Sequence, residues 1–137
     1  MIGVGGGTAN AKHGGVMCVL STQMNAHNET TGSTSTATGH TQVNVWKDGT
    51  ITFKTQILNP NHETFIAGHV HQGAVGVAGG IVVPLFAGPS TTSGHIKLGG
   101  TATPNAGTTG AAICQNASAY YVNYHTTASG AIRGQFG

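Results

Sequence analysis

Two histidines one residue apart, His69 and His71, are the first place in this chain where side chains could do chemistry. They close the run Phe65-Ile66-Ala67-Gly68-His69-Val70-His71, whose Phe, Ile and Val residues favour a β-strand. Side chains alternate along a strand, so His69 and His71 share one face and Val70 takes the other. With Val70 turned to a core, two imidazoles stand side by side on the outer face. Neutral imidazole is the commonest metal ligand in proteins and suits copper and zinc. A later stretch, Tyr120-Tyr121-Val122-Asn123-Tyr124-His125, puts Tyr121, Asn123 and His125 on one face. If that strand lies near the first, His125 completes a three-nitrogen set with one position open. Such a set suits a Cu(II)/Cu(I) centre or a catalytic zinc.

Two further residues attach to this set. His95, on a short strand after Gly94, is the candidate fourth ligand. Arg133 carries its charge at any relevant pH and could draw an anion to the open position, which makes it the candidate catalytic residue. Without a metal, His125 reads as a packed, hydrogen-bonded core histidine and Arg133 as a surface arginine whose stem covers apolar area. His13, His27, His40 and His62 sit in turn-rich segments and read as solvated.

Composition narrows the other chemistries. Only five basic and three acidic residues accompany eight histidines, so imidazoles are half of the side chains able to carry charge near neutrality. With Glu29, Asp48 and Glu63 the only acids and no Gly-x-Ser-x-Gly segment, carboxylate-based and serine hydrolases are disfavoured. The net charge of +2 comes without any Lys/Arg run, so nucleic acid is not an expected partner. No apolar run reaches membrane-spanning length. Gly3-Val4-Gly5-Gly6-Gly7 imitates a phosphate-binding loop but has Thr8 where the third glycine belongs. It reads instead as part of a flexible arm over residues 1–15. Met1 to Gly7 also lacks the segments of a signal peptide. The polar, Thr/Gly-rich, weakly charged character suits a mature exported domain, whether extracellular, at the cell surface or periplasmic.

Positioning the histidines falls to short strands. The 137 residues fit one domain, here residues 16–137 after the arm. Val, Ile, Thr and Tyr come in short runs broken by Gly, Asn and Pro, which predicts an all-β chain. Strands are expected at 16–21, 41–46, 50–58, 65–71, 81–86, 94–98, 120–125 and 131–136. Lys47-Asp48-Gly49 marks a hairpin, and Pro84 marks an edge or bulge. Residues 73–80 look mobile, and 111–119 is one helical turn or irregular. Seven or eight such strands imply a Greek-key antiparallel β-sandwich or barrel. Cys18 and Cys114 either pair or remain two buried thiols; the exported character favours a disulfide, worth about 4–5 kcal/mol on chain entropy alone.

Two separated motifs add a family resemblance. Ala67-Gly68-His69-Val70-His71-Gln72-Gly73, then Tyr121-Val122-Asn123-Tyr124-His125-Thr126 and Gly130-Ala131-Ile132-Arg133-Gly134-Gln135, resemble the CHRD domain, named after chordin. That family typically shows A-H-I-H-x-G, Y-V-N-x-H-T and G-E-I-R-G-Q. The glutamate usual before Ile-Arg-Gly-Gln is Ala131 here, and Thr30-Thr31 replaces the usual Val-Pro after Asn28-Glu29. His69-Val70-His71-Gln72 also looks like the copper strand of Cu/Zn superoxide dismutases, with His125 and Arg133 in similar places to that family's late histidine and anion-attracting arginine. The dismutase zinc loop has no counterpart, so the likeness implies one metal: copper first, zinc second. It also implies a superoxide dismutase-like fold. Two functions follow. One is an exported copper-binding domain with dismutase-like redox chemistry on a small anion such as superoxide. The other is a non-enzymatic surface or matrix module that self-associates through strand edges, even into fibres.

Overall fold

The computed structural model describes residues 13–137. Eight strands follow in order: β1 (Val16–Met24), β2 (Thr38–Trp46), β3 (Ile51–Leu58), β4 (Phe65–Gln72), β5 (Gly80–Phe86), β6 (His95–Ala102), β7 (Tyr120–Thr126) and β8 (Gly130–Gln135). One short helix, α1 (Gly110–Gln115), precedes β7, and single 3-10 turns occupy Ala26–Asn28 and Ala117–Ala119. Thr109 caps α1 by accepting from the Ala112 amide at 3.1 Å. The segment 111–119, expected to be either one helical turn or irregular, is helical, with a short α-helix followed by a 3-10 turn. Most of the expected arm lies outside the described residues. Of the rest, the His13 and Gly15 carbonyls accept from the Asp48 and Lys47 amides of the β2–β3 turn.

The strands form two antiparallel four-stranded sheets, ordered β1-β2-β3-β6 and β5-β4-β7-β8. This is a two-sheet sandwich. Among the described residues no continuous ladder closes it into a barrel; a single bridge between Asn25 and Arg133 stitches the end of β1 to β8. Strict alternation builds the core. On β3, Ile51, Phe53, Thr55 and Ile57 are buried, while Lys54, Gln56 and Leu58 are exposed. From the opposite sheet Phe65, Val70, Val83, Val122, Tyr124 and Ile132 meet them.

A polar string ties the two sheets together. Thr41 Oγ1 and Thr55 Oγ1 are 2.8 Å apart, and Thr55 Oγ1 lies 2.6 Å from Tyr124 Oη. Burial pushes the Tyr124 phenol up to about 12, so it stays a neutral hydrogen-bonding group. The Tyr124 ring lies over Gly68, its cross-strand partner, where any Cβ would collide with it. Glycine at 68 thus lets the β4 backbone seat that ring and leaves the opposite face of β4 to the histidines. Cys18 on β1 is disulfide-bonded to Cys114 on α1, with Cα atoms 6.0 Å apart, pinning the helix to the first sheet. Pro84 falls on β5, an edge strand, where a missing N–H costs no ladder bond.

Candidate metal centre

The outer face of the second sheet carries the site. Phe65 and Val70 of β4 go into the core, as do Tyr120, Val122 and Tyr124 of β7. Their neighbours His69, His71, Tyr121, Asn123 and His125 therefore project outward. The β4–β7 register pairs His71 with Tyr121, His69 with Asn123, and Ala67 with His125. The third histidine thus stands one pair along from His69, opposite a small alanine that leaves it room to lean inward. Ring centroids are 5.5 Å apart for His69 and His71, 5.4 Å for His69 and His125, and 6.3 Å for His71 and His125. One nitrogen from each ring lies within 4.8 Å of the other two. Bonds of about 2 Å to a common ion need donors about 3.3 Å apart, so binding would draw the rings together.

The hydrogen bonds leave lone pairs where a metal needs them. His71 Nδ1 is 2.9 Å from the Gly79 carbonyl. A carbonyl only accepts, so Nδ1 carries the proton and Nε2 is left with its lone pair. His71 Nε2 and His69 Nδ1 are both buried and without a partner. Among the described residues the one other buried side-chain polar atom in that condition is Asn123 Oδ1, on the same face. Burial first, then the His125 and His71 neighbours, lowers the His69 pKa to about 4. Burial, then His71, lowers His125 as well. Both rings are neutral at physiological pH. Three imidazole nitrogens, with the His71 tautomer fixed by the Gly79 carbonyl, fit a copper or zinc ion.

Behind His71 lies a stack that the sequence did not reveal. Its ring is parallel to that of Tyr121, 4.8 Å between centroids and 5° between planes. The Arg133 guanidinium carbon sits 3.4 Å from the centre of the same Tyr121 ring. Two groups at such distances must occupy opposite faces of the phenol. Arg133 is only 2% exposed. Its Nη1 donates to the Val77 carbonyl at 3.0 Å, and its Nη2 to the Ala74 carbonyl at 2.8 Å and to Gln135 Oε1 at 3.2 Å. Gln135 Nε2 donates to Gly73 O at 2.7 Å, and Tyr121 Oη accepts from the Gly79 amide at 2.9 Å. The 73–79 loop, expected to be mobile, is pinned at Gly73, Ala74, Val77 and Gly79. This is the loop whose Gly79 carbonyl orients His71.

The structure thus brings His69, His71 and His125 together and gives Arg133 a clamping position. Arg133 lines a cleft of about 510 Å³ with Gln23, Glu29, Val75 and Gln135, and none of the three histidines lines that cleft. His95 requires a correction. It lies on β6, which pairs with β3 in the first sheet, and its exposed ring bonds Gln56 Oε1 at 3.3 Å. The outer faces of a two-sheet sandwich point in opposite directions, so His95 cannot join a site on the second sheet. Tyr121, Asn123, Gln135, Gly79 and Glu29 went unassigned in the sequence. Only the shared face of Tyr121, Asn123 and His125 pointed to two of them. Glu29 reaches in from the β1–β2 connection and accepts from Asn123 Nδ2 at 3.4 Å. Burial raises its pKa, against the pull of Asn123 and of the Arg133 charge. Ala131 is buried in the core, and Glu29 is the carboxylate that reaches Asn123.

The CHRD domain family model matches residues 20–136. The chain belongs to the CHRD family. The match takes in all three clustered histidines, Glu29, Asn123 and Arg133 of this CHRD domain, and begins just after Cys18. No curated protein and no solved structure matches the chain. The disulfide and the CHRD membership are consistent with an exported protein. No helix among the described residues is long and apolar enough to cross a membrane.

Proposed function

We propose that this CHRD domain is an exported, non-enzymatic binding module that holds one transition-metal ion on His69, His71 and His125. The observation that carries the reading is the pair of buried, unpartnered ring nitrogens, His69 Nδ1 and His71 Nε2, within one three-histidine cluster. Leaving such atoms bare is costly, and a shared ion satisfies both. Copper is the first choice, because Cu(II) leads the divalent series at nitrogen sites; zinc is second. Bound copper supplies a one-electron couple. The chain's own residues fix His71 through Gly79, and partial burial holds His69 and His125 below the ordinary histidine range.

The non-enzymatic reading rests on Arg133. A steering arginine must turn its charge to the open position, whereas this one spends its N–H groups on Ala74, Val77 and Gln135. Self-association belongs to the same reading, supported by Val16, Met17 and Val19 exposed on the edge strand β1. The open fourth position of a three-imidazole set favours a second reading, dismutase-like turnover on a superoxide dismutase-like Greek-key sandwich.

Elemental analysis of protein purified without added metal, with Cu(II) and Zn(II) affinities by chelator competition, tests the site. One equivalent of copper bound with three-nitrogen coordination is expected. Failure to bind either ion removes the proposal. Superoxide destruction by the copper form, absent from the metal-free protein, would replace the binding module with the enzyme.

A further inference from the structure

Asn123 is 5% exposed and stands directly opposite His69 on the outer face of β4 and β7. Its Nδ2 donates to Glu29 Oε2 at 3.4 Å. An ionised carboxylate only accepts, so the nitrogen end of the amide is the end at Glu29, and Oδ1 is turned away. There Oδ1 is buried and has no donor. The three unpartnered buried side-chain atoms of the described residues thus lie on one face, two on histidines of the cluster and one on the residue beside them.

No neighbouring group fills the gap at Oδ1. The His71 Nδ1–H is given to Gly79, and no His69 atom bonds Asn123. Arg133, opposite Asn123 on β8, directs its hydrogen bonds to Ala74, Val77 and Gln135. A donor must then come from outside the chain, small enough for a buried site. An ion held by three imidazoles keeps a further position for such a molecule.

Resting on the metal-site reading above, we propose that Asn123 is the positioning residue for the ion's fourth ligand, its Oδ1 accepting a hydrogen bond from a water molecule on the ion. Glu29, by holding Nδ2, keeps the acceptor aimed. The consequence is selectivity among small ligands. A molecule that brings an O–H keeps the hydrogen bond. A proton-free anion such as azide forfeits it and meets the negative end of a carbonyl dipole.

The test loads one equivalent of Cu(II) into the full chain, with Asn123→Ala and, in case that variant folds poorly, Asn123→Val, a strand former. Copper affinity is read by competition, water on copper by pulsed ENDOR in H₂O against D₂O, and azide binding by optical titration. Both variants should keep the three-nitrogen signal and lose less than about 100-fold in copper affinity, the usual ceiling for an outer-shell partner, since no ligand is removed. The exchangeable-proton couplings should change, and azide should bind about fivefold tighter, the worth of one neutral hydrogen bond. Unchanged couplings and azide affinity overturn the proposal. So does a loss of copper affinity as large as that of His125→Ala, which would make Asn123 a direct ligand. A wild-type copper signal without strongly coupled exchangeable protons, the weakly coupled imidazole N–H protons aside, overturns the proposal, whereas no three-nitrogen signal in the wild type removes the metal site itself.

Discussion

Replacing Arg133 with lysine keeps one positive charge and removes the planar fork that holds the 73–79 loop. The wild-type guanidinium makes three charge-assisted bonds, to Val77, Ala74 and Gln135, from a site 2% exposed. Each is worth about 1.5–3 kcal/mol, and the cation–π contact with Tyr121 adds about 0.5–2. These terms share one group and do not add, and disrupting a buried charged hub typically costs about 3–5 kcal/mol. Lysine brings three donors on one flexible atom and cannot span two carbonyls and an amide while stacking on a ring. Arg133→Lys should therefore lose about 3 kcal/mol, a fall in Tm of about 9–15 °C for a domain of this size. Circular dichroism melts at low and high salt measure it. Hydrogen exchange at the Val77 and Gly79 amides, which bond to Ala74 O and to Tyr121 Oη, reports the loop directly. An arginine that acts by steering predicts the reverse: Lys preserves the charge, stability holds, and salt alone matters. A Tm within about 2 °C of the wild type, with both amides still protected, would refute the clamp.

The remaining predictions concern the site and the core beneath it. His125→Ala should weaken copper binding by more than about 100-fold, beyond the usual cost of losing an outer-shell partner, while His95→Ala changes it less than about twofold; competition titrations separate the two. The metal-free protein should lose stability as pH falls from about 6.5 toward 4. There His69, lowered to about 4, and His125 bind fewer protons folded than unfolded, so acid favours the unfolded chain. Urea melts across that window check the sign, and His69→Gln should flatten the slope. Gly68→Ala drives a methyl into the Tyr124 ring and should cost about 1–3 kcal/mol by the same melts, with the metal site loosened because β4 must shift.

Local chemistry alone determined a good part of this protein. Strand pleating has period two, so His69 and His71 had to share a face, as did Tyr121, Asn123 and His125, wherever those strands came to lie. The short β-branched runs between Gly, Asn and Pro marked all eight strands, although β1 runs on to Met24 and β6 to Ala102. The missing N–H of Pro84 pointed to an edge or a bulge and the structure puts it on an edge strand, while Cys18 and Cys114, a pair or two buried thiols on sequence, are disulfide-bonded.

Only the tertiary structure decided which strands are neighbours, and that choice made the site. β-propensity says that a segment pairs, not with what, because pairing energy lies in side chains far apart in sequence. His95 stood as a candidate fourth ligand until β6 paired with β3 in the first sheet, while β7 paired with β4. The register that sets His125 against Ala67 and Asn123 against His69 is likewise a contact between distant segments. Arg133 read as a free charge because Gln135 is the one side-chain acceptor within three residues of it. Its other acceptors, Ala74 O and Val77 O, are backbone atoms of a loop more than fifty residues away, and backbone carbonyls carry no sequence signature.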